Sequence, residues 1–154
     1  MSEGPEKVVV ARNRRAFHDY ELMDRLEAGM ALLGPEVKSL RDGKGSLGEA
    51  FAAFKHGELY LMDMHIPEYP HRGYAPHEPR RPRKLLLHRR ELRKLEAAVT
   101  RKGFTLVPLQ VYFLRGRAKV EIAVARGRKH HDKREALKEA EARREARAHE
   151  GRRG

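Results

Sequence analysis

The side chains most able to do chemistry in this sequence are cations placed beside glycine turns. The stretch from Gly34 to Gly45 carries Lys38, Arg41 and Lys44 and ends in an Asp-Gly turn signal. Lysine and arginine neutralise phosphate oxygens, and a glycine turn lets a phosphate approach the backbone closely. The turn signals at both ends predict one short strand, although its apolar alternation is imperfect. The pattern favours binding of a polyanion.

Catalytic and metal-binding patterns are weak by comparison. The Gly43-Lys44 pair lacks the leading glycine of a phosphate-binding loop motif. The run from His130 to Asp132 could ligate a metal, but adjacent histidines in a basic segment are more often solvated. His18 cannot work with Asp19 or Glu21, because those neighbours would point to the opposite face of a strand. The sequence therefore predicts no enzyme, no cofactor and no metal site.

The overall charge also indicates a polyanionic partner. Lysine and arginine number 34 against 22 aspartates and glutamates, which gives a formal net charge of +12 at pH 7. Such an excess favours nucleic acid first and an anionic membrane surface second. No apolar run reaches the ~18 residues of a spanning helix, and we expect no signal peptide. Cysteine is absent, which excludes disulfides, and we expect a cytoplasmic location.

Short apolar or alternating runs predict a mainly β chain. Besides the strand after Gly34, strands are predicted at residues 8–11, 16–22, 51–54, 58–66, 104–114 and 118–125. Pro108 cannot donate to a strand ladder, so it marks an edge or a bulge. Many short strands with few helices are typical of an antiparallel barrel or sandwich, and the small closed form is an OB-like barrel.

Two capping patterns and one amphipathic run predict short helices. Asp24 with Glu27, and Ser46 with Glu49, each match a capping side chain followed by a carboxylate that reaches back. The first of these helices would end at the next glycine. Residues 89–100 form the strongest helical pattern, with leucines on one face and cations on the others.

The composition divides the chain into a barrel domain, 1–127, and a basic C-terminal tail, 128–154. Within the first part, residues 67–83 form a long loop rich in proline, tyrosine, histidine and arginine. Beyond residue 127, alanine, glutamate and arginine give high helix propensity without an apolar stripe. We expect this tail to be disordered alone and helical when bound to a partner.

The basic clusters together favour RNA or DNA binding, although any single cation is as easily a solvated surface residue. Phosphate contacts would supply affinity, and specificity would come from nucleic-acid shape or stacking on exposed aromatics. Tyr69 and Tyr74 are candidates for stacking, and packing against the barrel is the alternative. Glu27 is structural if it caps a helix. Near a basic surface it could instead accept hydrogen bonds from a base edge or a 2′-hydroxyl.

A set of short motifs with characteristic spacing spans most of the chain. The segments are Asn13-Arg14-Arg15-Ala16, Tyr20, Glu27-Ala28-Gly29, Glu36 to Lys44, Arg83 to Leu87, Glu91-Leu92, Gly103 to Leu109, Tyr112, Lys119-Val120 and Gly127 to Arg134. Their order and spacing closely resemble those of the small protein B (SmpB) family of bacterial tmRNA-binding proteins. The resemblance implies a non-catalytic protein with an OB-like closed barrel of about six strands and two or three short helices.

The resemblance also implies binding to the tRNA-like domain of tmRNA and delivery of that RNA to stalled ribosomes. By matching position, Asn13, Glu27 and Leu86 belong to the tmRNA-contacting surface, and nearby cations would hold phosphates. The predicted tmRNA-binding residues are Asn13, Arg14, Arg15, Glu27, Lys38, Arg41, Lys44, Lys84 and Leu86. The predicted decoding-site residues are Arg128, Lys129, His130, His131, Asp132, Lys133 and Arg134. The rest of the tail would lie in the vacant mRNA channel.

In this interpretation the barrel replaces the anticodon half that tmRNA lacks. The tail, by folding on the 16S ribosomal RNA of the decoding site, replaces codon–anticodon pairing. We expect a monomer without membrane contact. One rival is a ribosomal or general RNA-chaperone protein, for which ordinary tRNA would compete. The other is a basic RNA-processing enzyme that uses His18 or His131.

Overall fold

The computed structural model describes residues 6–68, 77–101 and 103–127. Within these ranges it contains three helices and seven strands, so the chain is mainly β. The helices are α1 Ala16–Asp19, α2 Gly34–Arg41 and α3 Arg89–Val99. The strands are β1 Lys7–Arg12, β2 Tyr20–Met30, β3 Phe51–Lys55, β4 Glu58–Met62, β5 Arg83–Leu86, β6 Phe104–Leu114 and β7 Arg117–Gly127.

The seven strands form one antiparallel sheet in the order β1-β6-β7-β2-β5-β4-β3. This sheet is not closed, so the prediction of a closed barrel of about six strands is wrong. β3 approaches β6, but β6 already pairs with β1 on one edge and with β7 on the other. β1 covers only the Gln110–Leu114 half of its β6 edge, and β3 approaches β6 without forming a ladder with it, so the described sheet keeps two ends.

Two apolar clusters stabilise the sheet from opposite sides. We call the face that packs against α2 and α3 the inner face and the opposite one the outer face. The main cluster lies on the inner face, where α2 and α3 contribute the fully buried Leu40 and Leu95. A smaller cluster lies under α1 on the outer face, where Ala16 packs with Val107 and Ala123. Burial of apolar surface is the main favourable term in folding, so these two clusters stabilise the sheet. The short helix α1 covers only part of the outer face.

The strand predicted between Gly34 and Gly45 is wrong, because the first eight residues of this stretch form α2. Pro35 lies in the first turn, where a missing N–H removes no helical hydrogen bond. Glu36 accepts a hydrogen bond from the Leu33 N–H at 2.9 Å and so caps the helix start. Gly43 has a φ of +74°, and its left-handed backbone stops the helix.

Two predictions for the chain before α2 are also wrong, each for its own reason. The strand predicted at residues 16–22 begins four residues late, because α1 forms first and the Ala16 N–H donates to Asn13 Oδ1 at 3.2 Å. The helix predicted from Asp24 and Glu27 does not form, because β2 runs unbroken through both residues and pairs with β7. Here the long-range ladder overrides a local capping pattern.

The helix predicted from Ser46 is also wrong, because Ser46 forms a bridge with His65. Its N–H donates to the His65 carbonyl at 2.9 Å, and the His65 N–H returns a bond of 3.1 Å. The strand predicted at residues 58–66 ends early, at Met62, where Asp63 adopts a left-handed φ of 60°.

The remaining element predictions are confirmed, with boundaries that differ by at most two residues. They are the strands at 8–11, 51–54, 104–114 and 118–125 and the helix at 89–100. The β6–β7 register breaks between Pro108 and Gln110, as expected of a proline bulge. The loop tyrosines Tyr69 and Tyr74 and the tail lie outside the described residues. None of the described helices is both long and apolar enough to cross a membrane.

Gly45 tests the packing of α2 against the sheet. A Cβ atom at Gly45 would overlap Leu40 Cδ2 and lie 3.1 Å from Met64 Cε, and both of those side chains are fully buried. We expect Gly45→Ala to lower the free energy of unfolding by about 1–3 kcal/mol through overpacking, as measured by urea denaturation.

Gly48→Ala is the matched control. Its Cβ would meet only Ser46 Oγ, at 3.7 Å, so its stability should stay within about 0.5 kcal/mol of wild type. Equal stability of the two variants would contradict the close approach at Gly45.

Candidate nucleic-acid interface

A buried carboxylate on α2, Glu36, joins three parts of the chain. Its oxygens accept two hydrogen bonds from Arg81, at 2.6 and 2.7 Å, and two from Arg83, at 2.7 and 3.0 Å. The side chains of Glu36 and Arg83 are both 0% exposed. Arg83 also donates to the carbonyls of Met64 and Pro79, at 2.6 and 3.0 Å. Because water cannot reach either charge, each depends on the other for compensation.

The hydrogen bonds keep the Glu36 carboxylate ionised. Burial alone would raise its pKa, but the bonds from Arg81, from the Leu33 N–H and from Arg83 outweigh burial and lower the pKa below its usual 4.5. Burial also lowers the pKa of Arg83, against the opposing effect of Glu36, and an arginine remains charged throughout the accessible pH range. The cluster is therefore a true ion pair.

Because the Arg83 side chain points inward, the alternation along β5 decides which of its residues point outward. Side chains alternate along a strand, so Arg83 and Leu85 are buried while Lys84 and Leu86 are exposed. In the ladders, Leu86 lies opposite Gly29, Gly29 opposite Lys119, and Lys119 opposite Tyr112. Directly opposed residues share a face. On the outer face of the sheet, the part that α1 leaves uncovered carries Glu27, Lys84, Leu86, Tyr112 and Lys119.

Glu27 is the polar centre of this outer face. Its Oε2 accepts a hydrogen bond of 2.5 Å from the Tyr112 hydroxyl, and its Oε1 lies 3.8 Å from Lys119 Nζ. Burial, followed by the hydrogen bond to Glu27, raises the pKa of Tyr112, so the phenol remains a donor. The Glu27 side chain is still 42% exposed, which leaves lone pairs free to accept from a ligand.

Leu86 supplies an apolar spot beside Glu27. It is 51% exposed and packs across Gly29, where a Cβ would lie 3.4 Å from Leu86 Cβ. Leu86 lines a cleft of about 390 Å³ together with Val37 of α2 and Lys119 of β7. Lys84, two residues before it, is half-exposed and lies 3.6 Å from Glu58. A base or ribose could rest on Leu86 while the lysines contact phosphates.

Two cations of α2 and one just after it lie near this surface. Lys38, Arg41 and Lys44 are all exposed, and Val37 lines the cleft that holds Leu86. The Arg41 guanidinium lies 4.1 Å from the centre of the Phe113 ring, which fixes its direction. Lys38 thus adjoins the Leu86 cleft, whereas Arg41 lies against Phe113 of the inner cluster. We call these three cations, together with Lys84, the rim.

Asn13 differs from the other predicted RNA-binding residues, because its side chain is committed to the fold. It is only 8% exposed, donates to the Pro108 carbonyl at 3.0 Å and accepts from the Ala16 N–H. Its role in the described structure is to hold α1 against β6. The neighbouring Arg14 and Arg15 are exposed, and Arg15 lies 3.9 Å from Asp19.

Sequence reasoning assigned no role in the site to Glu36, Arg81, Tyr112 or Lys119. The ion pair of Glu36 with Arg83 joins residues 47 positions apart, so no local pattern could reveal it. Lys119 alternates with the inward Val120, and this alternation was a usable signal for an outward cation. The predicted decoding-site run, Arg128 to Arg134, lies outside the described residues. Within the described ranges, no group of three or more potential ligand side chains could hold a metal ion.

The fold and the outer face define a small nucleic-acid-binding β protein, with a carboxylate and an apolar spot inside a rim of cations. Comparison with known families agrees with this class. The family model described as SmpB protein matches residues 10–151. The chain therefore belongs to the SmpB protein family.

Known relatives cover nearly the whole chain. The SsrA-binding protein of Thermobifida fusca (strain YX) is 55% identical over 143 residues, which are 93% of this chain and 88% of the relative. That of Salinispora arenicola (strain CNS-205) is 57% identical over 145 residues, 94% of this chain and 91% of the relative. A solved structure described as "tmRNA-SmpB: a journey to the center of the bacterial ribosome" contains a chain with 52% identity and a TM-score of 0.66. The match covers 82% of this chain and 92% of the chain in that structure.

The ion pair makes a specific stability prediction. Glu36→Gln keeps the shape but leaves Arg83 buried without a counter-charge, so we expect a loss of about 3–5 kcal/mol in the free energy of unfolding. Because folding lowers the pKa of Glu36, its contribution is complete above the usual carboxyl pKa and is lost as pH falls through the folded value. Urea denaturation at several pH values measures both effects.

The control is Glu96→Gln, a substitution of an exposed carboxylate on α3. It should leave stability within about 0.5 kcal/mol of wild type. Equal free energies of unfolding for Glu36→Gln and Glu96→Gln at neutral pH would show that the buried ion pair does not stabilise the fold.

Proposed function

We propose that this protein binds the tRNA-like domain of tmRNA and delivers it to ribosomes stalled on messages without a usable stop codon. Membership in the SmpB family supports this function, as do the relatives named SsrA-binding proteins. The observation that carries the proposal is the convergence of Glu27, Lys84 and Leu86 on one sheet face. The sequence resemblance and the basic pattern predict the same three residues as part of the RNA-binding surface.

The outer face divides the work of recognition between its rim and its centre. Lys38, Arg41, Lys44 and Lys84 at the rim contact phosphates and supply affinity that depends on salt. Glu27 repels phosphate, so it favours a donor such as a base amine or a 2′-hydroxyl at the centre. Leu86 packs against the apolar face of that nucleotide. The α1 end adds Arg14 and Arg15, which Asn13 positions through its hydrogen bonds.

The tail takes the second part of the function. Residues 1–127 form the RNA-binding domain, and residues 128–154 form a basic tail that becomes helical on the ribosome. The run from Arg128 to Arg134 occupies the 16S ribosomal RNA decoding site, and the remainder follows the vacant mRNA channel. Ordering this basic segment on a phosphate-rich surface replaces codon–anticodon pairing as the signal of correct placement. A message in the channel excludes the tail.

Binding alone accounts for this role, and no bond is made or broken by the protein. We propose that it acts as a non-catalytic monomer in the cytoplasm, where it meets both tmRNA and ribosomes. Its basic surface is used for RNA rather than for an anionic membrane, because the tail lacks the apolar face that membrane binding requires.

Lys84→Ala and Leu86→Ala test the outer face. We expect Leu86→Ala to weaken binding to the tRNA-like domain about tenfold, because a contact that buries much of a leucine side chain is lost. We expect Lys84→Ala to weaken binding and to reduce the slope of log affinity against log salt by about one. Filter binding at several salt concentrations, with excess bulk tRNA as competitor, measures both.

Lys94→Ala is a matched control for Lys84→Ala. Each lysine lies within 4 Å of one carboxylate, Lys84 of Glu58 and Lys94 of Asp24, but Lys94 is on α3. The Lys94→Ala variant should bind with the affinity and the salt slope of the wild-type protein. The proposed interface is wrong if Lys94→Ala weakens binding as much as Lys84→Ala does.

The division between domain and tail predicts separate effects. Replacing Lys129, Lys133 and Arg134 by alanine in the full chain should abolish peptide tagging on stalled ribosomes, because the decoding-site contacts are lost. The same variant should bind the tRNA-like domain within about twofold of wild type. Tagging in a reconstituted translation system and affinity by filter binding give the two readouts, and a parallel loss of both would contradict the division.

A further inference from the structure

The outer face extends past Glu27 to a half-exposed aromatic side chain on α1. Phe17 keeps 50% of its surface exposed, and the Arg25 guanidinium lies 5.7 Å from the centre of its ring. Arg25 Nη1 is 4.0 Å from Glu121 Oε2, and Glu121 is directly opposite Glu27 in the β2–β7 ladder. Phe17, Arg25 and Glu27 therefore lie along one continuous surface.

Two more arginines border Phe17. Arg12 and Arg14 line a shallow cleft of about 310 Å³ with it, and both are exposed. Arg25 has Glu121 as a nearby counter-charge, whereas Arg12 and Arg14 form no ion pair within 4.0 Å in the described part of the chain. The cleft thus combines a half-exposed aromatic ring with two cations that can neutralise phosphates.

The backbone that carries the Phe17 ring is anchored before any ligand arrives. Ala16, next to Phe17, is 1% exposed in the small apolar cluster under α1. Asn13 ties the start of α1 to the Pro108 carbonyl at 3.0 Å. Because the backbone of α1 is already ordered, a ligand that stacks on Phe17 loses little affinity to ordering of the protein.

We propose that Phe17 is a stacking platform for one unpaired base of the bound RNA, and that Arg12 and Arg14 hold the phosphates on either side of that nucleotide. Proteins read single-stranded RNA elements by stacking splayed bases on aromatic rings and guanidinium planes. A phosphate alone gains nothing from an exposed phenyl ring, whereas every base has a face that can stack on it. The proposal rests on the proposed function and places a looped-out nucleotide at the α1 end of the outer face.

The test measures the affinity of full-length variants for a transcript of the tRNA-like domain of tmRNA. Phe17→Leu keeps an apolar side chain and should weaken binding about tenfold, because stacking is lost. Phe17→Trp keeps an aromatic face and should bind at least as tightly as wild type. Phe17→Leu should retain the wild-type salt slope, whereas Arg14→Ala should reduce it by about one.

Phe104→Leu is the matched control, because arginine guanidinium groups also lie 5.6 and 5.8 Å from its ring, but Phe104 packs against the inner apolar cluster. Its affinity should equal wild type. Wild-type affinity of Phe17→Leu would overturn the stacking role, and so would equal losses in Phe17→Leu and Phe17→Trp, which would indicate packing. Failure of the wild-type protein to prefer this transcript over bulk tRNA would instead reject the proposed function.

Discussion

The ion pair between Glu36 and Arg83 is the interaction on which the rest of the structure depends. A buried guanidinium without its carboxylate would carry a large desolvation penalty, so Arg83 has one acceptable direction, inward. Its additional bonds to the Met64 and Pro79 carbonyls hold β5 against the chain that precedes it. A slip of β5 by one residue would exchange its two faces. The buried pair therefore keeps Lys84 and Leu86 on the outer face.

The outer face gains its selectivity from charges of opposite sign. A chain with a net charge of +12 attracts any nucleic acid, and such attraction alone does not distinguish one RNA from another. Glu27 sits among the cations, held by Tyr112 and Lys119, and it makes the centre of the face unfavourable for phosphate. A ligand must therefore place its backbone at the rim and a hydrogen-bond donor at the centre. In our proposal the tRNA-like domain of tmRNA meets this requirement.

Local patterns predicted those elements whose signal is local. The leucine stripe of α3, the long apolar runs of β6 and β7 and the bulge at Pro108 could all be identified in the sequence. The capping pattern of Asp24 and Glu27 was misleading, because pairing with β7 decides the conformation of β2. The resemblance located Glu27 and Leu86, but only the fold gives the ion pair that orients β5, since its partners are distant in sequence.

The most direct measurement is amide chemical-shift mapping of the full chain as the tRNA-like domain of tmRNA is added. The account predicts that the largest changes occur at Glu27, Lys84, Leu86 and Lys119, while the amides of α3 and β3 stay unchanged. Changes concentrated on α3 or β3, with an unaffected outer face, would contradict it.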